Sequence, residues 1–272
     1  MNGTIGVFDS GFGGLTILDG IRKRMPQYDY LYLGDNARAP YGTRSFDVVY
    51  EFTLQAVKKM FDMGCPLVIL GCNTASAKAL RSIQQGYLPD NAPDRRVLGV
   101  IRPTAEVVGE LSNTHHVGVL ATEGTIRSES YTLEIEKLHP GTVVVGQACP
   151  MWVPLVENNE FDKPGADYFV NDSIQKLLAQ DSEIDTIILG CTHYPLLMNK
   201  IRKYCPSNIR LVPQGQYIAE SLENYLQRHP DMEARIGRNG TCKYFTTEST
   251  DKFTECASIF LNETVKAERV TL

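Results

Sequence analysis

Two cysteines of this chain occupy nearly identical settings. Residues 68–76 read VILGCNTAS and residues 187–195 read IILGCTHYP, so Cys72 and Cys191 each follow a short apolar run ending Ile-Leu-Gly. A thiol at the tip of a strand, where a helix begins, gains from the positive end of the helix dipole, and its free pKa of about 8.5 can fall toward neutrality. Such a group can serve as base, acid or nucleophile. A single buried cysteine is as readily a small hydrophobe, but a matched pair at the same place in two copies of a motif calls for a joint role. Inverting a carbon centre by proton transfer is chemistry that needs two equivalent groups, one removing a proton from one face while the other delivers a proton to the opposite face.

Other polar residues fall at strand ends as well. Asp9 and Ser10 end the first apolar run, GDNARAPYG follows the second, Asn73 and Thr74 follow the first cysteine, Thr122 ends a later run, and Thr192 and His193 follow the second cysteine. They are mostly neutral hydrogen-bond donors, suited to holding carboxylates without a basic cluster. Each has an ordinary structural role open to it: Ser10, Thr74 and Thr122 as helix caps, Asp9 as a turn residue, His193 as a hydrogen-bonded core histidine.

The elements that must position these groups form an α/β pattern. Strand candidates are 4–8, 29–33, 66–70, 97–101, 116–120, 142–146, 185–189, 209–212 and 242–246, several apolar on both faces as in a parallel sheet covered by helices. Residues 45–63 carry Val49, Phe52, Ala56, Val57 and Met60 at helical spacing before Gly64 and Pro66. IGVFDSG at 5–11 is echoed by VGVLATEG at 117–124, and in both halves the cysteine strand comes after that motif. The halves therefore read as a duplication, which is why the cysteine occurs twice. LPDNAPDRR at 88–96 is the best boundary between them.

Bulk properties narrow the function. At 272 residues with 43% hydrophobic composition the chain can bury a sizeable core, and at about 150 residues per domain it should form roughly two. Its 27 basic and 32 acidic residues give a net charge of −5 and no basic run, so nucleic acid is not expected as a ligand. No apolar segment approaches the roughly 20 residues needed to span a bilayer, and MNGTIGVFDSG has no leader pattern, so the expectation is a cytoplasmic protein without a membrane partner. Seven cysteines without a CxxC argue for reduced thiols and against a zinc site. Cys65, Cys205, Cys242 and Cys256 lie in apolar or helical patterns and read as structural, Cys149 is left open, and His115–His116 reads as a surface turn.

The segments IGVFDSGFGGLTIL, YLGDNARAPYG, LGCNTAS, GVLAT, CPMWVPLVE and LGCTHYPLL together resemble the glutamate racemases of the aspartate/glutamate racemase superfamily, over nearly the whole chain. The resemblance implies an α/β fold of two pseudo-twofold-related domains, with mainly parallel sheets flanked by helices and an active site in the cleft between them. It implies a first domain of 1–96 plus 212–272 and a second of 97–211. It further implies cofactor-independent, two-base racemisation of L-glutamate to D-glutamate for peptidoglycan. In that scheme Cys72 and Cys191 are the acid/base pair, assisted by Asp9 and His193. Ser10, Tyr41, Gly42, Asn73, Thr74, Thr122, Glu157 and Thr192, with Asp9 and His193, would hold the substrate, and the two sulfurs must face each other across one pocket. No cofactor and no metal are expected; a homodimer is left open. Two segments depart from the family pattern, VPQGQ at 212–216 and IRPT at 101–104.

Three other readings carry weight at this stage. Aspartate is the nearest rival substrate. A nucleotide-binding protein is suggested by GVFDSGFGG after a strand, with Asp35 in reach for a ribose, although Thr16 stands in place of the third glycine of the fingerprint. Cys191 with His193 could also form a thiol hydrolase pair.

Overall fold

The computed structural model describes residues 3–272. The chain divides into two compact units, one running up to Val100 and resuming at Gly215–Leu272, the other comprising Ile101–Gln214.

In the first unit six strands form one parallel sheet: β1 (Ile5–Asp9), β2 (Tyr30–Gly34), β3 (Leu67–Leu70), β4 (Arg96–Gly99), β9 (Cys242–Thr246) and β10 (Ala267–Arg269), in the order β10-β9-β2-β1-β3-β4. The central strands read as unbroken apolar runs because both faces are covered. Ile5, Val7, Tyr30, Tyr32, Leu67 and Ile69 point into one core layer, with Leu15, Leu18, Ile218, Leu222 and Phe253 from the helices Leu15–Arg24, Gly215–Arg228 and Thr250–Leu261. Phe8, Leu31, Leu33, Val68 and Leu70 point into the other, with Val49, Ala56, Val57 and Met60 from the helix Phe46–Asp62. This alternation is the two-residue period of a pleated strand. The helix Phe46–Asp62 starts where Ser45 caps it by accepting from Val48 N, and it ends just before Gly64, whose φ of +91° suits glycine.

The second unit has four parallel strands, β5 (His116–Ala121), β6 (Val143–Ala148), β7 (Thr186–Gly190) and β8 (Arg210–Val212), in the order β6-β5-β7-β8. That is the order β2-β1-β3-β4 of the first sheet with each index raised by four. The duplication read from the cysteine motifs is thus a duplication of topology.

The structure differs from the sequence-based boundaries in a definite way. Residues 97–99, expected at the start of the second domain, pair with β3 and so complete the first sheet, and the first unit ends at Val100. Likewise β8 hydrogen-bonds to β7, which keeps the chain in the second unit through Gln214. Strand pairing fixes these limits, and pairing partners are not written in the local pattern. His115 does occupy a turn, at φ 61°, but His116 opens β5 and sets its ring Nδ1 2.7 Å from Asp181 Oδ2. No helix among the described residues is long and apolar enough to cross a membrane.

One buried carboxylate ties the far end of the first unit to its sheet. Asp29 accepts from Thr241 N and Oγ1 at 2.9 and 2.7 Å and from Asn239 N and Nδ2 at 3.2 and 2.6 Å. Burial opposes its charge, but the donors prevail and hold its pKa below the usual 3.8. Asp29→Ala should lower stability by about 2–3 kcal/mol near neutral pH in urea unfolding. Because the folded pKa is depressed, the wild-type advantage is complete above 3.8 and should shrink as the pH falls below it. An advantage that persists undiminished well below that value would show that packing, not the charge, is responsible.

Candidate active site

Each sheet has a switch point, where the chain leaves neighbouring strands in opposite directions. In the first unit it lies between β1 and β3, in the second between β5 and β7. Loops diverge there at the carboxyl ends, the usual place for a ligand in an open parallel sheet. Asp9 ends β1, Cys72 follows β3, Thr122 follows β5 and Cys191 follows β7.

In the first unit Asp9 is fully buried and its Oδ2 accepts from Gly11 N at 2.8 Å, folding the following glycine-rich turn back on the strand. Gly14 closes over it: a β-carbon there would lie 2.5 Å from Asp9 Cβ, so no larger residue fits without moving the carboxylate. Ser10 Oγ stands 3.5 Å from Cys72 Sγ. Cys72 is the N-cap of the helix Asn73–Lys78, its sulfur accepting from Ala75 N at 3.5 Å, an interaction that suits a sulfur bearing negative charge. The helix start is pinned from behind, since Ser76 Oγ donates to Leu70 O at 2.9 Å and accepts from Val100 N at 3.2 Å. Asn73 and Thr74, the first two helical residues, are buried at the same end.

Tyr41 and Gly42 lie in the loop after β2. The Tyr41 side chain is buried and its hydroxyl donates to Asp35 Oδ2 at 2.5 Å; Arg38 Nε donates to the same oxygen at 2.6 Å and Thr247 Oγ1 to Oδ1 at 2.9 Å. Burial, with the neighbouring Asp35 charge, drives the Tyr41 pKa upward, so the phenol stays neutral. This hydroxyl is committed to the fold. What the Tyr41–Gly42 turn can offer a ligand is its backbone N–H groups. The same network bears on the nucleotide reading, because Asp35, the residue proposed for a ribose, is spent on three donors of its own unit. Nothing in the sequence marked Asp35, Arg38 and Thr247 as a set, since Thr247 lies some 200 residues away.

The second unit is built differently around an equivalent thiol. Cys191 does not cap an α-helix, contrary to the expectation from its motif; it lies in a bend ahead of the short 3₁₀ turn Tyr194–Leu197, whose single turn offers a weaker dipole. In place of a helix it has an imidazole. His193 Nδ1 is 3.8 Å from Cys191 Sγ, and His193 Nε2 is 3.1 Å from Glu157 Oε1 at the end of the helix Trp152–Glu157. Burial alone would lower the His193 pKa, but the cysteine on one side and the carboxylate on the other raise it well above 6.5. That direction favours the protonated ring at neutral pH, held between two acceptors. Thr192 is buried beside the pair, and Thr122 caps the helix Glu123–Arg127, accepting from Thr125 N at 3.3 Å. Three other cysteines behave as core residues: burial pushes Cys65 and Cys205 up to about 11 and Cys149 up to about 12, beyond ready ionisation.

The chain as a whole is similar to known proteins. The family model for Asp/Glu/hydantoin racemase matches residues 16–222. The chain belongs to that family. A glutamate racemase from Roseobacter denitrificans is 37% identical, the match covering 97% of this chain and 98% of its own. Among solved structures, glutamate racemase isoform RacE1 from Bacillus anthracis superposes with a TM-score of 0.90 at 32% identity, over 99% of this chain and 98% of the other. Glutamate racemase from Francisella tularensis, in complex with D-glutamate, gives 0.87 at 30% identity over 99% and 98%. As a member of this racemase family the chain is an enzyme.

The raised His193 pKa carries a sign that can be measured. A group whose folded pKa exceeds its unfolded value stabilises the fold fully below the unfolded value, here 6.5, and loses that contribution as pH rises through the folded one. The stability advantage of the wild type over His193→Gln should therefore be largest at pH 6 and below and decline above neutrality. Nitrogen NMR should find the ring doubly protonated at pH 7.5. A neutral ring at that pH, or an advantage that grows with pH, would contradict the charge state described.

Proposed function

We propose that the protein racemises glutamate by two-base proton transfer without a cofactor, with Cys72 and Cys191 as the two acid/base groups. The observation that carries this reading is that each unit ends the same strand of the same sheet order with a cysteine, in a family whose relatives are glutamate racemases. In one direction a cysteine thiolate removes the Cα proton, the C–H electron pair passes into the α-carboxylate, and the thiol of the other cysteine protonates the opposite face. In the reverse direction the roles exchange. The Cα hydrogen is far less acidic than a thiol, so the site must also stabilise the carbanionic transition state by preorganised donors and by excluding water. Ser10, Asn73, Thr74, Thr122, Thr192 and the Tyr41–Gly42 backbone are the donors for the substrate carboxylates. Asp9 serves Cys72; His193, with Glu157 behind it, serves Cys191. The product would be D-glutamate for peptidoglycan, made in the cytoplasm.

The Cys191–His193–Glu157 trio by itself also has the layout of a nucleophilic thiol with an oriented base. The two readings part at Cys72, which a hydrolase would not need. Cys72→Ala should reduce glutamate racemisation by about 10²-fold or more while leaving the far-UV spectrum and the unfolding midpoint nearly unchanged. In deuterium oxide the wild type should place deuterium at Cα of the newly formed enantiomer. Full activity of Cys72→Ala, or product that keeps the substrate hydrogen, would end the two-base scheme; faster turnover of aspartate than of glutamate would change the substrate.

A further inference from the structure

Among the segments that depart from the family pattern, VPQGQ contains a glutamine with an unusual position. Gln214, the last residue of the second unit, is almost wholly buried and lies two residues beyond β8. Its Nε2 donates to Tyr131 Oη at 2.6 Å and to Thr104 Oγ1 at 3.0 Å. Thr104 lies in the helix Ile101–Leu111, which opens the unit, and Tyr131 in the helix Ser130–Leu138. Both are buried. One amide therefore clamps two helices to the end of the sheet, through hydrogen bonds that would each be costly to leave unmade in a dry interior.

The edge of the Tyr131 ring reaches the chain at Gly190, next to Cys191. A β-carbon on Gly190 would lie 3.2 Å from Tyr131 Cε2, closer than such contacts ordinarily are, so the ring packs tightly against the residue that ends β7 and directly precedes the thiol. Burial, with the nearby Cys191 adding to it, pushes the Tyr131 pKa upward, so the phenol stays neutral and is a fixed strut beside the sulfur rather than a competing acid.

We infer that Gln214 and Tyr131 are positioning residues for the reaction: the chain Thr104–Gln214–Tyr131–Gly190 holds the main chain at Cys191, so that this thiol, and not Cys72, depends on Gln214 for its alignment with Cα. The inference rests on the two-base reading above. It departs from simple core packing in one consequence. A structural residue supports both proton transfers alike, whereas this strut supports only the one made by Cys191.

Isotope effects with substrate deuterated at Cα separate the two transfers. Each enantiomer loses its Cα hydrogen to a different thiol. A change that raises only the Cys191 barrier makes that step limiting in both directions. The primary isotope effect on kcat/KM then grows for the enantiomer whose hydrogen Cys191 removes and shrinks for the other. His193→Gln and Ser10→Ala, which touch one thiol each, mark the two senses of this divergence. Gln214→Leu should lower kcat/KM roughly ten- to hundredfold and split the isotope effects in the sense of His193→Gln. Tyr131→Phe, which keeps the ring and removes only its hydroxyl, should split them the same way to a smaller degree, and it tests the same strut should Gln214→Leu fold poorly. If Gln214→Leu and Tyr131→Phe shift both enantiomers equally, or in the sense of Ser10→Ala, while the markers diverge as described, the strut is wrong and the two-base reading stands. If the markers themselves fail to diverge, the two-base reading falls and takes the inference with it.

Discussion

The constraint on which the rest depends is the strand order 2-1-3-4 of a parallel sheet, used twice. With β1 between β2 and β3, and β5 between β6 and β7, successive connections leave the sheet on either side of one strand. That divergence opens the only place at a parallel sheet's carboxyl edge where side chains from two adjacent strands can converge without a helix filling the space. Asp9 and Ser10 arrive there from β1 and Cys72 from β3; Thr122 arrives from β5 and Cys191 from β7. The apolar burial of the strands themselves supplies the rigidity. A cysteine after Ile-Leu-Gly has little freedom when the leucine before it is locked in the core on a strand buried on both faces.

The polar groups at these strand ends have partners. Cys72 has Ser10 and a helix N–H, His193 has Cys191 and Glu157, Tyr41 has Asp35, and Tyr131 has Gln214. In a low-dielectric interior an unpaired polar atom costs on the order of 1–3 kcal/mol, so burial of this many functional groups demands a second set of residues whose role is to hold the first. Arg38 illustrates the cost of such support. It pairs with Asp35 at 2.6 Å and lays its guanidinium over the Phe52 ring at 4.1 Å, so that even the counter-charge of a supporting carboxylate is itself packed.

Much of this was legible in the sequence because parallel strands buried on both faces announce themselves as apolar runs. All nine strand candidates correspond to strands, and the helix expected at 45–63 is found at Phe46–Asp62. The tenth strand, Ala267–Arg269, escaped because its sequence is Ala-Glu-Arg at a sheet edge: its existence depends on β9 being there to pair with, not on any pattern of its own. Domain limits failed by a few residues for the same reason. The site was legible to the extent that its residues sit immediately beyond strands. Cys191 as a helix cap was a false inference from the identity of two motifs, since Pro195 and the residues after it form a 3₁₀ turn. The supporting roles of Asp35, Thr247 and Gln214 carry no local signal, because each is a contact between segments distant in sequence.

The two thiols thus share a topology but not an environment, and this asymmetry has a chemical rationale. In the proposed two-base scheme each sulfur acts in turn as base and as acid, so each needs partners of its own. A thiolate can be favoured by several means: a helix N–H, a hydroxyl, or a neighbouring cation. The first unit uses the N-terminal amide of a short helix and Ser10; the second, with only a 3₁₀ turn to offer, uses an imidazolium backed by a carboxylate. Under the proposed scheme these are two different ways to support a thiolate. The imidazolium is the stronger local charge but also the more heavily buried one, and burial subtracts from what it contributes. Glu157 offsets that loss by keeping the ring protonated, and the price is a carboxylate whose negative charge weakens the pull of the ring on the sulfur. In the second unit Cys191, His193 and Glu157 therefore form a balance of three groups, and the placement of this thiol depends on the scaffold around it.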